Sequence, residues 1–238
     1  MTARSKNAEP KISNEHLYYD DPAFDETAPR VYLLMESMDY DNKLAMDLRS
    51  KGIGVTTHFR PEHVLASYDR SRAGCILVLL EESSYRSAKE LLTNLKSTIT
   101  NRSLAAPIIV YISSPNLSAA LSYLRYGAND IIGKFMREKS ELTSVILKWL
   151  DKSNQIKDVL NAQYEARELF RQMPAPIQET AKLIYEGLSN QEIAQRVDRK
   201  LRTIENRRAM VMKLMQADSL VQLIQKLSRV LEKHADFI

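Results

Sequence analysis

The chain contains 238 residues, a length that fits one large domain or two small ones. Its hydrophobic content is 44%, but no apolar run approaches the roughly eighteen residues that a transmembrane helix needs, and the N-terminus lacks the apolar region of a secretory signal. The single cysteine, Cys75, excludes a disulfide framework and a cysteine-based zinc site. We therefore expect a cytoplasmic protein without membrane contact.

Residues 1–29 form an acidic stretch with three basic and six acidic residues. No apolar period persists there, so we expect a disordered tail. The segment HLYYDDPAF is an exception, because Tyr18, Tyr19 and Phe24 lie among acidic residues. This segment fits either docking, on a partner or on the chain itself, or a mobile tail that happens to contain aromatic residues.

Short apolar runs alternate with amphipathic segments from Arg30 onward. The apolar runs predict strands at 31–36, 53–59, 75–80, 107–114 and 129–134. Helical spacing predicts helices at 41–52, 61–70, 87–99, 116–127 and 139–150. Strands that are apolar on both faces are typical of a parallel sheet covered by helices on both sides. Residues 30–152 are therefore predicted to form a flavodoxin-like, doubly wound (β/α)5 domain of the α/β class.

The second half of the chain contains helical segments and no convincing strand. Residues 153–173 are polar and favour a helix, so they are predicted to form a helical linker that can continue the preceding helix. Prolines in the segment MPAPIQ break this helix. Residues 174–238 are predicted to form an all-α domain. Its helices are expected at 177–186, 190–197, 201–215 and 219–233.

The segment 186–214, EGLSNQEIAQRVDRKLRTIENRRAMVMKL, has the spacing of a helix-turn-helix. Gly187 ends one helix, and Ser189 or Asn190 caps a second helix of only about eight residues. A tight turn, VDRK, leads to a longer amphipathic helix of the kind that enters the major groove of DNA. Residues 191–230 hold nine basic and four acidic residues, so the positive charge of the chain is concentrated on this unit.

The longer helix has two faces of different composition. One face, with Ile204, Arg208, Val211 and Met215, is expected to pack inside the domain. The opposite face and its surroundings are expected to contact DNA through Lys200, Arg202, Thr203, Glu205, Asn206, Arg207, Ala209 and Lys213. Arg202 and Thr203 suit phosphates. Asn206 suits adenine and Glu205 suits cytosine, whereas the alternative is a solvated basic helix in a bundle.

This part of the chain resembles the C-terminal DNA-binding domain of LuxR/NarL/FixJ-type regulators. The residues that match the family pattern are Gly187, Leu188, Ser189, Asn190, Glu192, Ile193, Ala194, Arg202, Thr203, Ile204, Glu205, Arg208, Lys213 and Leu214. The chain departs from the pattern at Asp198, Lys200 and Arg207, where glycine, serine and histidine are usual, and MPAPI lacks the family's glutamate. The resemblance implies a transcription regulator that binds double-stranded DNA.

The last helix, within SLVQLIQKLSRVL, carries an apolar stripe at helical spacing. In relatives this helix mediates dimerisation. The resemblance therefore implies a homodimer whose contact includes Leu220, Leu223, Ile224 and Leu227. A dimer would also suit paired half-sites in DNA. Packing of the stripe inside the domain is the alternative.

The first domain resembles a response-regulator receiver of two-component systems, through YGANDIIGK and IVYIS. Receiver chemistry needs two carboxylates for Mg²⁺, an aspartate that accepts the phosphoryl group, and a hydroxyl and a lysine beside it. The matching positions give a degenerate pocket that consists of Met35, Glu36, Leu79, Leu80, Ser113 and Lys134. Because neither Leu79 nor Leu80 can accept a phosphoryl group, the receiver is predicted to be atypical and to act without phosphorylation.

Other chemistry is weakly indicated. Glu81 or Glu82 could form a standing ion pair with Lys134 that resembles a phosphorylated state. His58 and His63 lie five residues apart, which is a weak metal signal, and no cofactor-binding, metal-binding or enzymatic motif is predicted.

These features together predict a non-enzymatic transcription regulator controlled without aspartyl phosphate, for example through a regulatory protein partner. Two other classes stay open. One is a receiver-type adaptor that acts through protein–protein interaction, and the other is an RNA-binding antiterminator.

Overall fold

A computed structural model describes residues 27–35, 43–80, 85–113, 116–133 and 139–232. The acidic stretch predicted as a tail lies outside these residues, apart from its last three positions. Within the described ranges, no helix is long and apolar enough to cross a membrane.

A parallel sheet forms the centre of the N-terminal half. Its strands are β1 (Arg30–Leu34), β2 (Gly54–His58), β3 (Gly74–Leu80), β4 (Ile108–Ile112) and β5 (Asp130–Gly133). They lie in the order β2-β1-β3-β4-β5, which is the flavodoxin-like order, so the predicted fold class is confirmed. Most strands are shorter than predicted, because apolar residues continue past the last strand pairs into the connections.

Helices cover both faces of this sheet. On one face, apolar side chains pack from α2 (Pro61–Ser67), α3 (Tyr85–Asn101) and α4 (Leu117–Arg125). On the other face they come from α1 (Lys43–Ser50) and the first part of α5 (Lys139–Arg171). β3 is buried along its whole length, as a strand with helices on both sides must be.

A buried hydrogen-bond network closes the edge where the strands begin, which we call the amino edge. The Ser153 hydroxyl on α5 donates to the carbonyl of Ala105 and accepts from the Gly74 amide at 3.1 Å. The Tyr68 hydroxyl donates to the same Ala105 carbonyl at 2.7 Å. A Cβ atom on Gly74 would lie 2.9 Å from the Tyr68 hydroxyl, so only glycine fits there.

The long helix α5 contains most of the predicted helical linker, as a continuation of the preceding helix. The chain divides into two compact units between Lys157 and Asp158, inside α5. The division falls within the predicted linker, 153–173. Ser153 belongs to the N-terminal unit through its buried hydrogen bonds, whereas Ala166 and Phe170 are buried in the core of the C-terminal unit.

The C-terminal unit is helical, as predicted. It contains the end of α5 followed by α6 (Ala175–Tyr185), α7 (Asn190–Arg196), α8 (Leu201–Leu214) and α9 (Leu220–Leu231). One apolar core joins these helices and includes Ile177, Ile193, Ile204 and Leu223. The observed helices agree with the predicted ones to within two residues at each end.

Candidate nucleic-acid interface

A capping box fixes the start of α7. Ser189 is the N-cap: its hydroxyl accepts from the Glu192 amide at 3.3 Å, while its own amide donates to the Glu192 carboxylate at 2.7 Å. Hydrogen bonds from the side chain and then the backbone of Ser189 lower the pKa of Glu192 below its ordinary value. The sequence left Ser189 and Asn190 as alternative caps, and the structure selects Ser189.

The turn between α7 and α8 is tight and has one left-handed residue. Asp198, at the position where the family usually has glycine, has a φ of 50°. Aspartate is one of the few residues other than glycine that adopt this region readily. The Arg199 amide then donates to the Ala194 carbonyl at 3.0 Å, and α8 begins at Leu201. Aspartate in place of glycine at this position is therefore compatible with the turn.

The inner face of α8 is buried against the other helices. Ile204, Val211 and Met215 are fully buried in the C-terminal core. Arg208, predicted on the same face, is half-buried, and its guanidinium donates to the Asn190 side-chain oxygen on α7 at 3.2 Å. This bond links the two helices of the helix-turn-helix and fixes how α8 is presented.

The structure leaves the opposite face of α8 open to solvent. The exposed members of the predicted DNA-contact set are Lys200, Arg202, Glu205, Asn206, Ala209 and Lys213. Thr203 and Arg207 are half-buried. Arg202 and Glu205 form an ion pair at 3.5 Å, which partly neutralises the carboxylate on this surface.

Sequence reasoning missed several residues on the same surface. Arg199 is exposed in the turn beside Lys200, and its charge was the available signal. Leu201 and Met210 are 41% and 49% exposed on α8. Met210 lies one turn after Asn206, so helical spacing would have placed it on this face. Apolar side chains at such positions can contact thymine methyl groups.

The apolar stripe of α9 is only partly available to a partner. Leu223 and Leu227 are fully buried in the core of the unit, so the dimer contact predicted for these two residues is wrong for the folded domain. Ile224 is half-buried against the same core. Leu220 is 48% exposed, and its neighbour Val221 is 68% exposed. Packing inside the domain, the alternative reading, therefore explains most of the stripe.

The carboxyl ends of β1 and β3, where a receiver has its acidic residues, are apolar. Met35 directly follows β1, and Leu79 and Leu80 end β3; all three are buried. Ser113 follows β4 and is exposed. The remaining members of the predicted pocket, Glu36 and Lys134, lie outside the described residues, and so do Glu81 and Glu82.

His58, one of the two histidines of the weak metal signal, lies inside the fold. His58 is buried on β2, where its Nε2 lies 3.0 Å from the Ser67 hydroxyl. In the part of the chain that the structure describes, no group of three or more histidine, cysteine, aspartate or glutamate side chains could hold a metal ion.

Known proteins are similar to the C-terminal unit by itself and to most of the chain. Residues 178–227 match the family described as bacterial regulatory proteins, luxR family. The tetrathionate response regulatory protein TtrR of Salmonella typhimurium is 24% identical over 202 residues, which cover 84% of this chain and 92% of TtrR.

Solved structures are similar across most of the chain. The response regulator StyR is 20% identical with a TM-score of 0.56, and the match covers 85% of this chain and 99% of StyR. Full-length FixJ from B. japonicum is 24% identical with a TM-score of 0.43, and the match covers 84% of this chain and 96% of FixJ. Residues 178–227 are therefore similar to the luxR family of bacterial regulatory proteins, and the chain over most of its length is similar to a response regulatory protein.

Proposed function

We propose that this protein is a transcription regulator that binds double-stranded DNA through α8 and works without aspartyl phosphorylation. The observation that carries the proposal is the two-sided character of α8. Ile204, Val211 and Met215 anchor it in the core, while a mainly polar face remains in solvent. A helix held in this way by a short preceding helix has the geometry that inserts into a major groove.

The chemistry of the exposed face suits DNA at two levels. Arg199, Lys200 and Arg202 surround the start of α8 and suit phosphate oxygens, which give affinity and orientation. Asn206 and Glu205 lie further along and can read adenine and cytosine edges in the major groove. The Arg202–Glu205 ion pair must rearrange for both side chains to contact DNA, so Glu205 is the weaker of the two base readers.

The proposal that the receiver-like unit is not phosphorylated rests on the end of β3. Leu79 and Leu80 supply buried hydrocarbon where the nucleophilic carboxylate would be, and Met35 supplies a thioether after β1. A leucine side chain cannot form an acyl phosphate. Control of the regulator would therefore come from something other than aspartyl phosphate, and we propose a protein partner. Incubation with acetyl phosphate should add no phosphoryl group in intact-mass spectrometry.

We also propose a homodimer, with a smaller contribution from α9 than the sequence implied. Leu220 and Val221 give this helix an exposed apolar start that a second copy can cover. Sedimentation of the full chain, with and without Leu220→Ser, tests this contact.

Selection from a random duplex pool tests the main proposal, using the full chain without a phosphodonor. We expect enrichment of a motif with two half-sites. On that motif, Asn206→Ala should cost about 1–3 kcal/mol and relax specificity at one base pair. Arg202→Ala should weaken binding to all sequences and reduce the salt slope by about one.

Lys182→Ala is the matched control, because Lys182 is an exposed cation on α6, outside the proposed face. It removes the same charge and should change binding little. Hairpin RNA bound in preference to duplex DNA would favour an antiterminator. Absence of nucleic-acid binding by the full chain would favour an adaptor and would contradict the proposal.

A further inference from the structure

Two neighbouring apolar residues interrupt the exposed polar face of α8, and the proposed function assigns them no role. Ala209 and Met210 lie one helical turn after Asn206, and both are exposed to solvent. Met210 is 49% exposed. Polar side chains border them along the helix, with Asn206 before and Lys213 after. We call Ala209 and Met210 the apolar pair.

The core of the C-terminal unit is packed by other methionines than Met210. Met215 is fully buried in this core, and Met212 packs against it with part of its surface. Met210 lies about 120° around the helix from the buried Ile204, on the side that faces solvent. An apolar side chain left in water is stabilised when a partner covers it. The exposure of Met210 therefore leaves an apolar contact available to a partner.

The charges around the apolar pair indicate the chemistry of that partner. Lys213 follows the apolar pair on the exposed face, and Lys200 and Arg202 lie at the start of α8. Glu205 pairs with Arg202 at 3.5 Å, while the two lysines add further positive charge. A second copy of this chain seated on the apolar pair would bring these cations against like charges, which costs free energy. Double-stranded DNA would bring phosphates to them instead.

Thymine supplies the apolar group that such a surface can contact in DNA. In the major groove, thymine presents a C5-methyl group, whereas guanine, cytosine and adenine are distinguished by hydrogen-bond donors and acceptors. Neither an alanine methyl group nor a thioether makes a strong hydrogen bond. The apolar pair is therefore suited to the thymine methyl group and unsuited to the polar edges of the other bases.

Helix geometry places this contact close to the base that Asn206 reads. Ala209 and Met210 lie about 4.5 and 6 Å beyond Asn206 along the helix axis. They are also within about 60° of it around the axis, so the three side chains face the same groove. Base pairs follow each other at about 3.4 Å. Where α8 runs along the groove, the apolar pair therefore lies one or two base pairs from the Asn206 contact.

We propose that Ala209 and Met210 determine sequence specificity by contacting the C5-methyl group of a thymine, one or two base pairs from the adenine that Asn206 reads. This inference rests on the proposed function and deepens it, because it assigns a second base to the half-site. Each half-site then contains an adenine and a thymine, on either strand, at neighbouring or next-neighbouring positions.

Deoxyuridine substitution tests the contact, using the full chain and the duplex enriched from the random pool. Deoxyuridine pairs with adenine as thymine does and lacks only the C5-methyl group. The position where Asn206→Ala relaxes specificity first locates the base pair that Asn206 reads. Each thymine of the duplex is then replaced in turn, and the Kd is measured by fluorescence anisotropy at one salt concentration.

We expect one replacement, one or two base pairs from the Asn206 position, to weaken binding about fourfold, the effect of one buried methyl group. A chain with Ala209→Ser and Met210→Gln replaces the apolar pair by polar side chains of similar size. That chain should bind the thymine and deoxyuridine duplexes equally. Met46→Gln is the matched control, because Met46 is 63% exposed on α1 in the other unit, and it should keep the fourfold difference.

Three results would overturn this inference and leave DNA binding by α8 intact. Binding that no deoxyuridine replacement weakens would mean that the apolar pair contacts no methyl group. A fourfold loss that persisted in the doubly substituted chain would assign the methyl contact to another residue. A sensitive thymine more than two base pairs from the Asn206 position would place the contact elsewhere on the protein. Failure of the full chain to select any duplex would overturn the proposed function and this inference together.

Discussion

The receiver-like unit and the helix-turn-helix unit both bury continuous apolar cores, but they differ at the positions where chemistry would occur. In the first, Met35, Leu79 and Leu80 place hydrocarbon at the carboxyl ends of the strands. In the second, Arg202 and Asn206 remain exposed on α8. A fold can thus persist through its buried pattern alone, whereas function depends on a few polar positions that packing does not require.

One face of α8 is packed in the core and the other is exposed, so substitutions on the two faces should differ strongly in their effect on stability. Ile204→Ala removes a fully buried side chain and should lower the free energy of unfolding of the C-terminal unit by about 2–5 kcal/mol. Met210→Ala, on the exposed face, should change it by less than about 0.5 kcal/mol.

Urea unfolding followed by far-ultraviolet circular dichroism measures both variants. Trp149, the single tryptophan, lies in the N-terminal unit and should report an unchanged transition there. Equal effects of the two substitutions would break the distinction between a packing face and a surface face.

The amino edge of the receiver-like sheet should be the most sensitive polar site in that unit. Ser153→Ala removes the buried hydroxyl that bonds the Gly74 amide and the Ala105 carbonyl, so we expect a loss of about 1–3 kcal/mol. Ser144→Ala, on an exposed part of the same helix, should cost far less. Trp149 fluorescence during unfolding measures the difference. If Ser153→Ala left the free energy of unfolding unchanged, the network would contribute no stability.

The sequence predicted the sheet and its order because β3 and its neighbours are apolar on both faces, a pattern that few folds can bury. It predicted the surface of α8 because Ile204 and Val211 recur at helical spacing. Such patterns depend on local spacing, which is readable along the chain.

Features that depend on how helices pack against one another could not be predicted in the same way. The apolar stripe on α9 has the same sequence pattern whether a neighbouring helix or a second copy covers it. In the structure, Leu223 and Leu227 are buried in the core of the C-terminal unit. The Arg208–Asn190 bond joins residues eighteen positions apart and depends on the angle between α7 and α8. The continuity of α5 follows from the absence of proline and glycine between its ends, which permits a long helix without requiring it.

The bond between Arg208 and Asn190 should be measurable as a coupling between the two helices. A double-mutant cycle with Arg208→Ala and Asn190→Ala should give a coupling energy of about 1 kcal/mol in unfolding of the C-terminal unit. Arg202→Ala with Asn190→Ala is the control pair, because Arg202 contacts Glu205 instead. Additive effects at Arg208 and Asn190 would mean that the helices are held by apolar packing alone.

The smallest expected effect is the acid dependence of the α7 cap. Hydrogen bonds from Ser189 lower the pKa of Glu192 below 4.5, its ordinary value, in the folded chain. The ionised carboxylate therefore stabilises the fold fully above pH 4.5, and this stabilisation is lost as the pH falls through the lowered pKa. Glu192→Gln should be less stable than the unmodified chain at neutral pH, and the difference should disappear in stronger acid. Thermal unfolding of both chains across this range measures it. Below its pKa the Glu192 carboxyl group is protonated and uncharged, like glutamine. A difference in stability that persisted in acid would therefore be due to packing of the side chain and not to the charge of the capping box.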